Sequence, residues 1–530
     1  MWSLLPFAIS AAILYDRALA SPTLRYDGFP RSNTKDDNSL QVETSSGTVT
    51  GLINGTTPDV RQYLNIPYAE PPLGKLRFLP PQPLNQRDKT IISTSLGPAC
   101  PQIPGISASI DSEVVTQLQF SGPTAEDCLS LAIWAPLHPQ KEEGLLPVFI
   151  FLFGGGYTTG GIDVEYQIPA QWVQRSQSHI VISANTRVNI FGYPGSGALK
   201  HQNPGLLDQR MVIEWAKENI EAFGGDPSRI VLWGQSSGAG SVDLLNFAYP
   251  KDPIVSGFIS DSGSVFLNNQ KSDQTFSNFS YVASQLNCSS NDPSAELGCM
   301  QNASYERIEA IILAYEEAGN NPLKFVPFVD NISIFANYSD RYALGAISDR
   351  PAIFGNNLRE GYEVVTWPDN PKTTAPNETV ANTYTDYAFL CPAMLSTNYR
   401  DGLGLPTFRY QYRGNFSDIS PYFWFGAFHG SELPMLFGTY GNYRGPPTQF
   451  ENEVSYTMQD FWLAFARDGA KGLEGLGWKR TADGGEINVL AEMRMRKASV
   501  MISAEDIDTP CTQGVVDTIL GGANPFAVIV

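Results

Sequence analysis

Few residues of this 530-residue chain are placed to do covalent chemistry. Residues 234–238, Gly-Gln-Ser-Ser-Gly, form a G-x-S-x-G pattern directly after an apolar run, residues 230–233. In that pattern the central serine sits on a sharp strand-to-helix bend with its hydroxyl exposed. The glycines leave room for the bend and for helix to pass close to strand. The register selects Ser236, because Ser237 is flanked by Gln235 and Ala239 where glycines are required. A serine hydroxyl is a poor nucleophile at neutral pH and needs a base, usually a histidine oriented by a carboxylate. With this elbow the order along the chain is serine, acid, histidine. His138, His179 and His201 all precede Ser236, which leaves His429 as the one eligible base. Two carboxylates fit as the acid, Asp330 after KFVPFV and Glu360 in RPAIFGNNLREG, and the residue pattern leaves both open. An oxyanion would need backbone N–H donors from the residue after the nucleophile and from a glycine loop. The run VFIFLF leads straight into Gly154-Gly155-Gly156, whose backbone can turn toward a developing charge unobstructed by side chains.

The elements that must position these groups are legible as apolar runs. LSLAIWAP (129–136), LLPVFIFLF (145–153) and HIVISAN (179–185) are bounded by turn residues and predict buried strands. MVIEWAKENIEAFGG (211–225) has helical spacing and stops at Gly224-Gly225. Val454, Met458, Phe461, Trp462 and Phe465 mark one face of a later helix. Strands alternating with helices predict an α/β fold whose mostly parallel sheet is covered on both faces. VETSSGTVTGLING suggests an early hairpin. No repeat or linker follows residue 40, so residues 40–530 are expected to form a single domain.

A hydrophobic content of 42% with 12% aromatics supports a large core. The net charge of −19 and pI near 4.7 argue against nucleic acid or an anionic membrane as partner. The N-terminal WSLLPFAISAAILY is too short to span a bilayer comfortably. It is followed by Ala18-Leu19-Ala20, so residues 1–20 read as a secretory signal peptide and 21–39 as a polar leader. Sequons at Asn54, Asn278, Asn287, Asn302, Asn331, Asn337, Asn377 and Asn415 agree with secretion. Six cysteines without a C-x-x-C pair, in a chain of four histidines, favour disulfides over a metal site. The C-terminal NPFAVIV is too short for a lipid-anchor signal, so no stable membrane anchor is expected.

From about residue 40 to 515 the chain resembles the type-B carboxylesterases, an α/β-hydrolase family that includes cholinesterases and secreted fungal lipases. The resemblance rests on YLNIPYAEPPLGKLRF (63–78), AEDCLSLAIWAP (125–136), FGGGY (153–157) and NPGLLDQR (203–210). ENIEAFGGDPSRIVLWGQSSGAGSV (218–242), GNNLREG (355–361) and FHGSELPMLFG (428–438) follow in the family's order. It implies Ser236 as nucleophile, His429 as base and Glu360 as acid in place of Asp330. Gly155, Gly156 and the N–H of Ser237 would form the oxyanion hole. It also implies disulfides Cys100–Cys128, Cys288–Cys299 and Cys391–Cys511, an Arg77–Glu126 ion pair, and no metal or organic cofactor. Two departures bear on substrate. The family usually has Glu and Ala around the nucleophile, where this chain has Gln235 and Ser237. The loop 101–127 lacks the tryptophan of the cholinesterase cation site; it holds a predicted short helix, SEVVTQLQF, and is where related lipases keep a lid, so a partial flap over the site is expected there. The expected activity is a secreted serine ester hydrolase that forms an acyl-enzyme from a small-molecule or lipid ester. An interfacially activated triacylglycerol lipase, an acyltransferase and a non-catalytic adhesion protein are the alternatives.

Overall fold

Period-two alternation decides which side chain of each strand enters which half of the core. The computed structural model describes residues 40–85, 89–103, 105, 107–138, 144–267 and 272–521. The expected signal peptide (1–20) and leader (21–39), and the C-terminal NPFAVIV, lie outside the described residues.

The first seven strands are β1 (Gln41–Thr44), β2 (Gly47–Thr50), β3 (Leu52–Asn54), β4 (Thr57–Pro67), β5 (Thr90–Ile92), β6 (Ser130–Pro136) and β7 (Leu146–Leu152). They are followed by β8 (Ile180–Ala184), β9 (Gly225–Gln235), β10 (Gly257–Asp261) and β11 (Ala352–Asn357). The last three are β12 (Thr407–Tyr412), β13 (Glu486–Glu492) and β14 (Lys497–Ser503). Strands β1, β2 and β5 make a small sheet that includes the expected hairpin, turned through Gly47 at φ 128°. The other eleven form one sheet in the order β14-β13-β12-β11-β10-β9-β7-β8-β6-β4-β3. From β8 to β13 every ladder is parallel, and the outer strands on both sides pair antiparallel.

Every residue of β6, β7, β8, β10, β11 and β12 is buried, as a sheet covered on both faces requires. On one face Phe149, Phe151, Val181, Val231, Trp233 and Ile353 pack beneath the Gln449–Asp468 helix. That helix presents Val454, Met458, Phe461, Trp462 and Phe465, all buried at the spacing the sequence showed. On the other face Val148, Ile150, Ile182, Ile230, Leu232 and Phe354 meet the Pro204–Asn219 and Ser237–Ala248 helices. The first of these ends through a short 3₁₀ turn at Gly224, whose φ of 93° caps it. Strand β9 starts at the next residue, five positions before the apolar run, because Gly225 already pairs with Leu146.

The three disulfides join Cys100 to Cys128, Cys288 to Cys299 and Cys391 to Cys511. Arg77 holds Glu126 through two 2.6 Å hydrogen bonds, with both side chains nearly buried. In the loop 101–127 the single helix expected over SEVVTQLQF is instead two pieces. A one-turn helix, Ile110–Glu113, begins earlier because Ser109 and Ser112 cap one another, and a 3₁₀ turn follows at Thr116–Leu118.

Candidate active site

The carboxyl ends of three neighbouring strands deliver the serine and the carboxylate. Strand β9 ends at Gln235 and the Ser237–Ala248 helix starts two residues later, so Ser236 alone makes the bend, at φ 57° and ψ −124°. A non-glycine residue in this region costs about 1–3 kcal/mol, and the surrounding packing has to hold it there. It does so tightly. A Cβ on Gly234 would lie 2.5 Å from Gly238 C, and one on Gly238 would overlap Leu152 O. The Ser236 N–H donates to Asp261 O at 2.8 Å, and its carbonyl accepts from Gly240 N–H at 2.9 Å. The flanking glycines are thus required by the contact of helix with strands β9 and β7.

Glu360 follows β11 at the start of a 3₁₀ turn and is fully buried. Its Oε1 accepts from Ser262 Oγ at 2.6 Å and from the Asn357 N–H at 2.5 Å. Its Oε2 lies 2.6 Å from His429 Nδ1. Ser262 stands just past β10, between β9 and β11 in the sheet, in the left-handed region at φ 59°. His429 comes from the long connection after β12, ahead of the Leu433–Phe437 helix. Its ring packs against Phe389 at 4.8 Å between centroids. Phe389 belongs to a five-residue π-helical segment, Asp386–Leu390, a local widening of the helix frequent at functional sites.

Two further carboxyls lie behind this pair. Burial pushes Asp261 up to about 7 although Trp233 Nε1 donates to it at 2.5 Å. Burial, then the proximity of Glu360 and Asp261, pushes Glu432 well above the carboxylate range. Holding these two toward their neutral forms avoids crowding three like charges at one place. Asn357 Nδ2 donates to Glu432 Oε2 and to Phe428 O, tying the histidine loop to the end of β11.

The glycine loop after β7 passes directly over the elbow. A Cβ at Gly154 would sit 2.6 Å from Gln235 Oε1 and 2.9 Å from Ser236 Cβ. Gly155 and Gly156 adopt φ of 114° and 63°, and Gly155 O accepts from the N–H groups of Thr158 and Thr159. A cavity of about 630 Å³ is lined by Gly154, Gly155, Gly156, Ser236, Ser237 and His429. That volume suits a small organic ester. Phe120, Phe153, Val164, Leu267, Phe389 and Leu433 supply its apolar wall, while Asp111 and Glu363 stand on its polar side. Desolvation, reinforced by Asp111, pushes Glu363 well above the usual range.

Asp330, the other acid the sequence left open, is not in this cavity. It organises a turn, accepting from the N–H groups of Ile332, Ser333 and Ile334 and from Asn203 Nδ2. His179 is buried against Trp172, and desolvation lowers its pKa well below normal. Asn287, Asn302, Asn331, Asn337, Asn377 and Asn415 are exposed, and Asn54 and Asn278 are half-buried. The sequence reading missed Ser262, Phe389 and the contact of Gln235 with His429. Ser262 had a weak signal, a serine beside the end of a strand; a π-helical widening has none.

A parallel sheet whose carboxyl ends carry a serine on a strained elbow, under a glycine loop, is the layout of the α/β-hydrolases. The chain belongs to the Carboxylesterase family, whose model matches residues 38–374 and 360–498, and it is a carboxylic ester hydrolase. It is 42% identical over 471 residues to a chlorogenic acid esterase of Aspergillus niger, covering 88% of this chain and 90% of that one. It is 35% identical over 531 residues to secreted lipase 5 of Gibberella zeae, covering 93% and 98%. An acetylcholinesterase of Bungarus fasciatus is more distant, 26% identical over 484 residues, covering 81% and 78%.

Proposed function

We propose that the protein is a secreted serine esterase in which Ser236 is the nucleophile, His429 the base and Glu360 the residue that orients it. The observation that carries this reading is the 2.6 Å contact of Glu360 Oε2 with His429 Nδ1, behind a cavity lined by His429, Ser236 and the glycine loop. His429 Nε2 takes the Ser236 proton as Oγ attacks the ester carbonyl. The N–H groups of Gly155, Gly156 and Ser237 receive the oxyanion, each worth about 3 kcal/mol in the transition state. The imidazolium then protonates the departing alcohol, and water repeats the sequence on the acyl-enzyme. No step draws on a metal or organic cofactor. The signal peptide expected over residues 1–20, the six exposed sequons and the three disulfides support an extracellular site of action.

The loop 101–127 favours soluble esters over an interfacial lipid substrate. Ile110 and Val115 are fully buried, so this wall of the cavity is anchored in the core. Arg444 donates through Nη2 to Val114 O at 2.7 Å and Gln117 Oε1 at 2.8 Å, and through Nη1 to Tyr166 Oη at 2.9 Å. A lid that opens at an interface would have to break these bonds and expose both side chains. The name of the 42% identical relative makes chlorogenic acid one ester to assay here.

The test is turnover of p-nitrophenyl esters of increasing acyl length, with chlorogenic acid alongside, by wild type and Ser236→Ala. Loss of turnover in the variant, and a wild-type rate that saturates smoothly through the solubility limit, are expected. Wild-type activity in Ser236→Ala refutes the nucleophile, and a jump at the solubility limit refutes the fixed wall.

A further inference from the structure

The two ring nitrogens of His429 have different neighbours. Nδ1 faces a carboxylate oxygen, which only accepts, so in the neutral ring Nδ1 carries the proton and Nε2 the lone pair. The side-chain amide nitrogen of Gln235 lies 3.2 Å from Nε2. Its NH2 donates to that lone pair; a flipped amide would set oxygen against nitrogen with no proton between them. Gln235 has little freedom to leave. It is 4% exposed, it ends β9, and its Oε1 fills the space that a side chain at Gly154 would need. Among the described residues, Nε2 therefore finds its partner in the Gln235 amide and not in Ser236 Oγ.

We propose that Gln235 is a positioning residue, whose amide keeps His429 neutral with its Nε2 lone pair aimed at the elbow and yields that lone pair to Ser236 when an ester enters. This rests on the reading of Ser236 as nucleophile and His429 as base. The amide N–H stabilises the neutral ring and opposes the imidazolium, whose Nε2–H would meet another donor. A glutamate at the same place does the reverse, accepting from Nε2–H and favouring the charged ring. The other titratable groups around His429 are Glu360 on Nδ1, Asp261 and Glu432 behind it, Asp111 and Glu363 on the cavity wall, and Tyr157 and Tyr384 in its lining. Among the described residues Gln235 alone meets Nε2, so substitution there reads out on that nitrogen. The consequence is an enzyme that works further into the acid range than one carrying a carboxylate at this position.

Gln235→Glu and Gln235→Met test the proposal, since both nearly preserve the side-chain length. The readouts are the rate of Ser236 labelling by a fluorophosphonate probe, and kcat and KM for p-nitrophenyl acetate, from about pH 4 to about pH 9, with melting curves to establish folding. The acidic limb of the wild-type profile is expected to move up by about one pH unit or more in the glutamate variant. It should move up by a smaller amount in the methionine variant, which loses one hydrogen bond to the neutral ring. KM should hold while kcat falls below the new midpoint. Unmoved limbs in folded variants overturn the role of Gln235, and the methionine variant alone decides if the glutamate variant does not fold. A wild type that takes no label at Ser236 overturns the underlying reading instead, so the two failures are told apart.

Discussion

At the scale of single residues, the decisive arrangement is the chain of bonds from Ser262 and Asn357 through Glu360 to His429. Three donors converge on one buried carboxyl, so its oxygens have fixed directions and the imidazole they face has a fixed orientation. Glu360→Gln keeps the volume but offers an amide to Nδ1, which favours the wrong ring tautomer. A fall in kcat of roughly 10⁴-fold is expected, the size seen when a triad carboxylate becomes an amide. Asp330→Asn is the control, with kcat close to wild type and a stability loss of about 1–3 kcal/mol from its disturbed turn. Steady-state kinetics and melting of the two variants check this pair, and a large rate loss confined to Asp330→Asn would reverse the assignment. Ser262→Ala removes one donor to Glu360 and should lower kcat without changing KM; an unchanged kcat would show that Asn357 suffices.

At the scale of elements, the elbow exists because the Ser237–Ala248 helix starts almost in contact with β9 and β7. Gly238 makes that possible, since any side chain there meets the carbonyl of Leu152. Gly238→Ala forces helix and sheet apart. It is expected to cost stability by about 1–3 kcal/mol and to abolish fluorophosphonate labelling, measured by denaturant titration and probe labelling. The loop 101–127 is held from a distant part of the chain by Arg444. Arg444→Met retains the aliphatic stem and loses the donors, so it should free Val114 and Gln117. Faster proteolysis within 101–127 and a rise in KM for short esters are the expected signs, and unchanged values of both would show that Ile110 and Val115 alone fix the loop.

At the scale of the molecule, buried carboxyls couple stability to pH. Burial raises Asp261 to about 7 in the folded chain, and raises Glu309 and Asp418 to about 7 and Asp386 to about 6. Between the ordinary carboxylate range and these values the folded state binds more protons than the unfolded one. Stability is therefore greatest in mild acid and falls as pH rises toward 7. Self-repulsion from the net charge of −19 acts in the same direction. The measurement is unfolding free energy from about pH 5 to about pH 8; Asp261→Asn, which keeps an acceptor for Trp233, should flatten part of the slope. A profile that rises over this interval would contradict the assignment. Covalent closure opposes the loss. The Cys391–Cys511 bond spans a separation of 120 residues, worth about 5 kcal/mol by the chain-entropy argument. Cys391→Ser with Cys511→Ser should lower the melting temperature much more than the matching change at Cys288 and Cys299, whose separation is 11.

What the sequence determined by itself was local or ordinal. Unbroken apolar runs marked buried strands because a covered parallel sheet leaves no polar face, and the helix of Val454 to Phe465 showed a stripe because only one of its faces enters the core. The register of two glycines singled out Ser236, and chain order alone left only His429 eligible. The acid was not decidable from strand pattern, because Asp330 and Glu360 each follow a strand-like run; only the resemblance of GNNLREG to the family's motif pointed to Glu360. The tertiary structure brings Glu360 to His429 across 69 positions of chain and gives Asp330 to a turn. It also decided that the loop 101–127 is anchored from Arg444, and that the amide of Gln235 reaches the ring nitrogen that faces the cavity. These are long-range contacts, set by which strands become neighbours in the sheet, and nothing in the local periodicity of the chain encodes them.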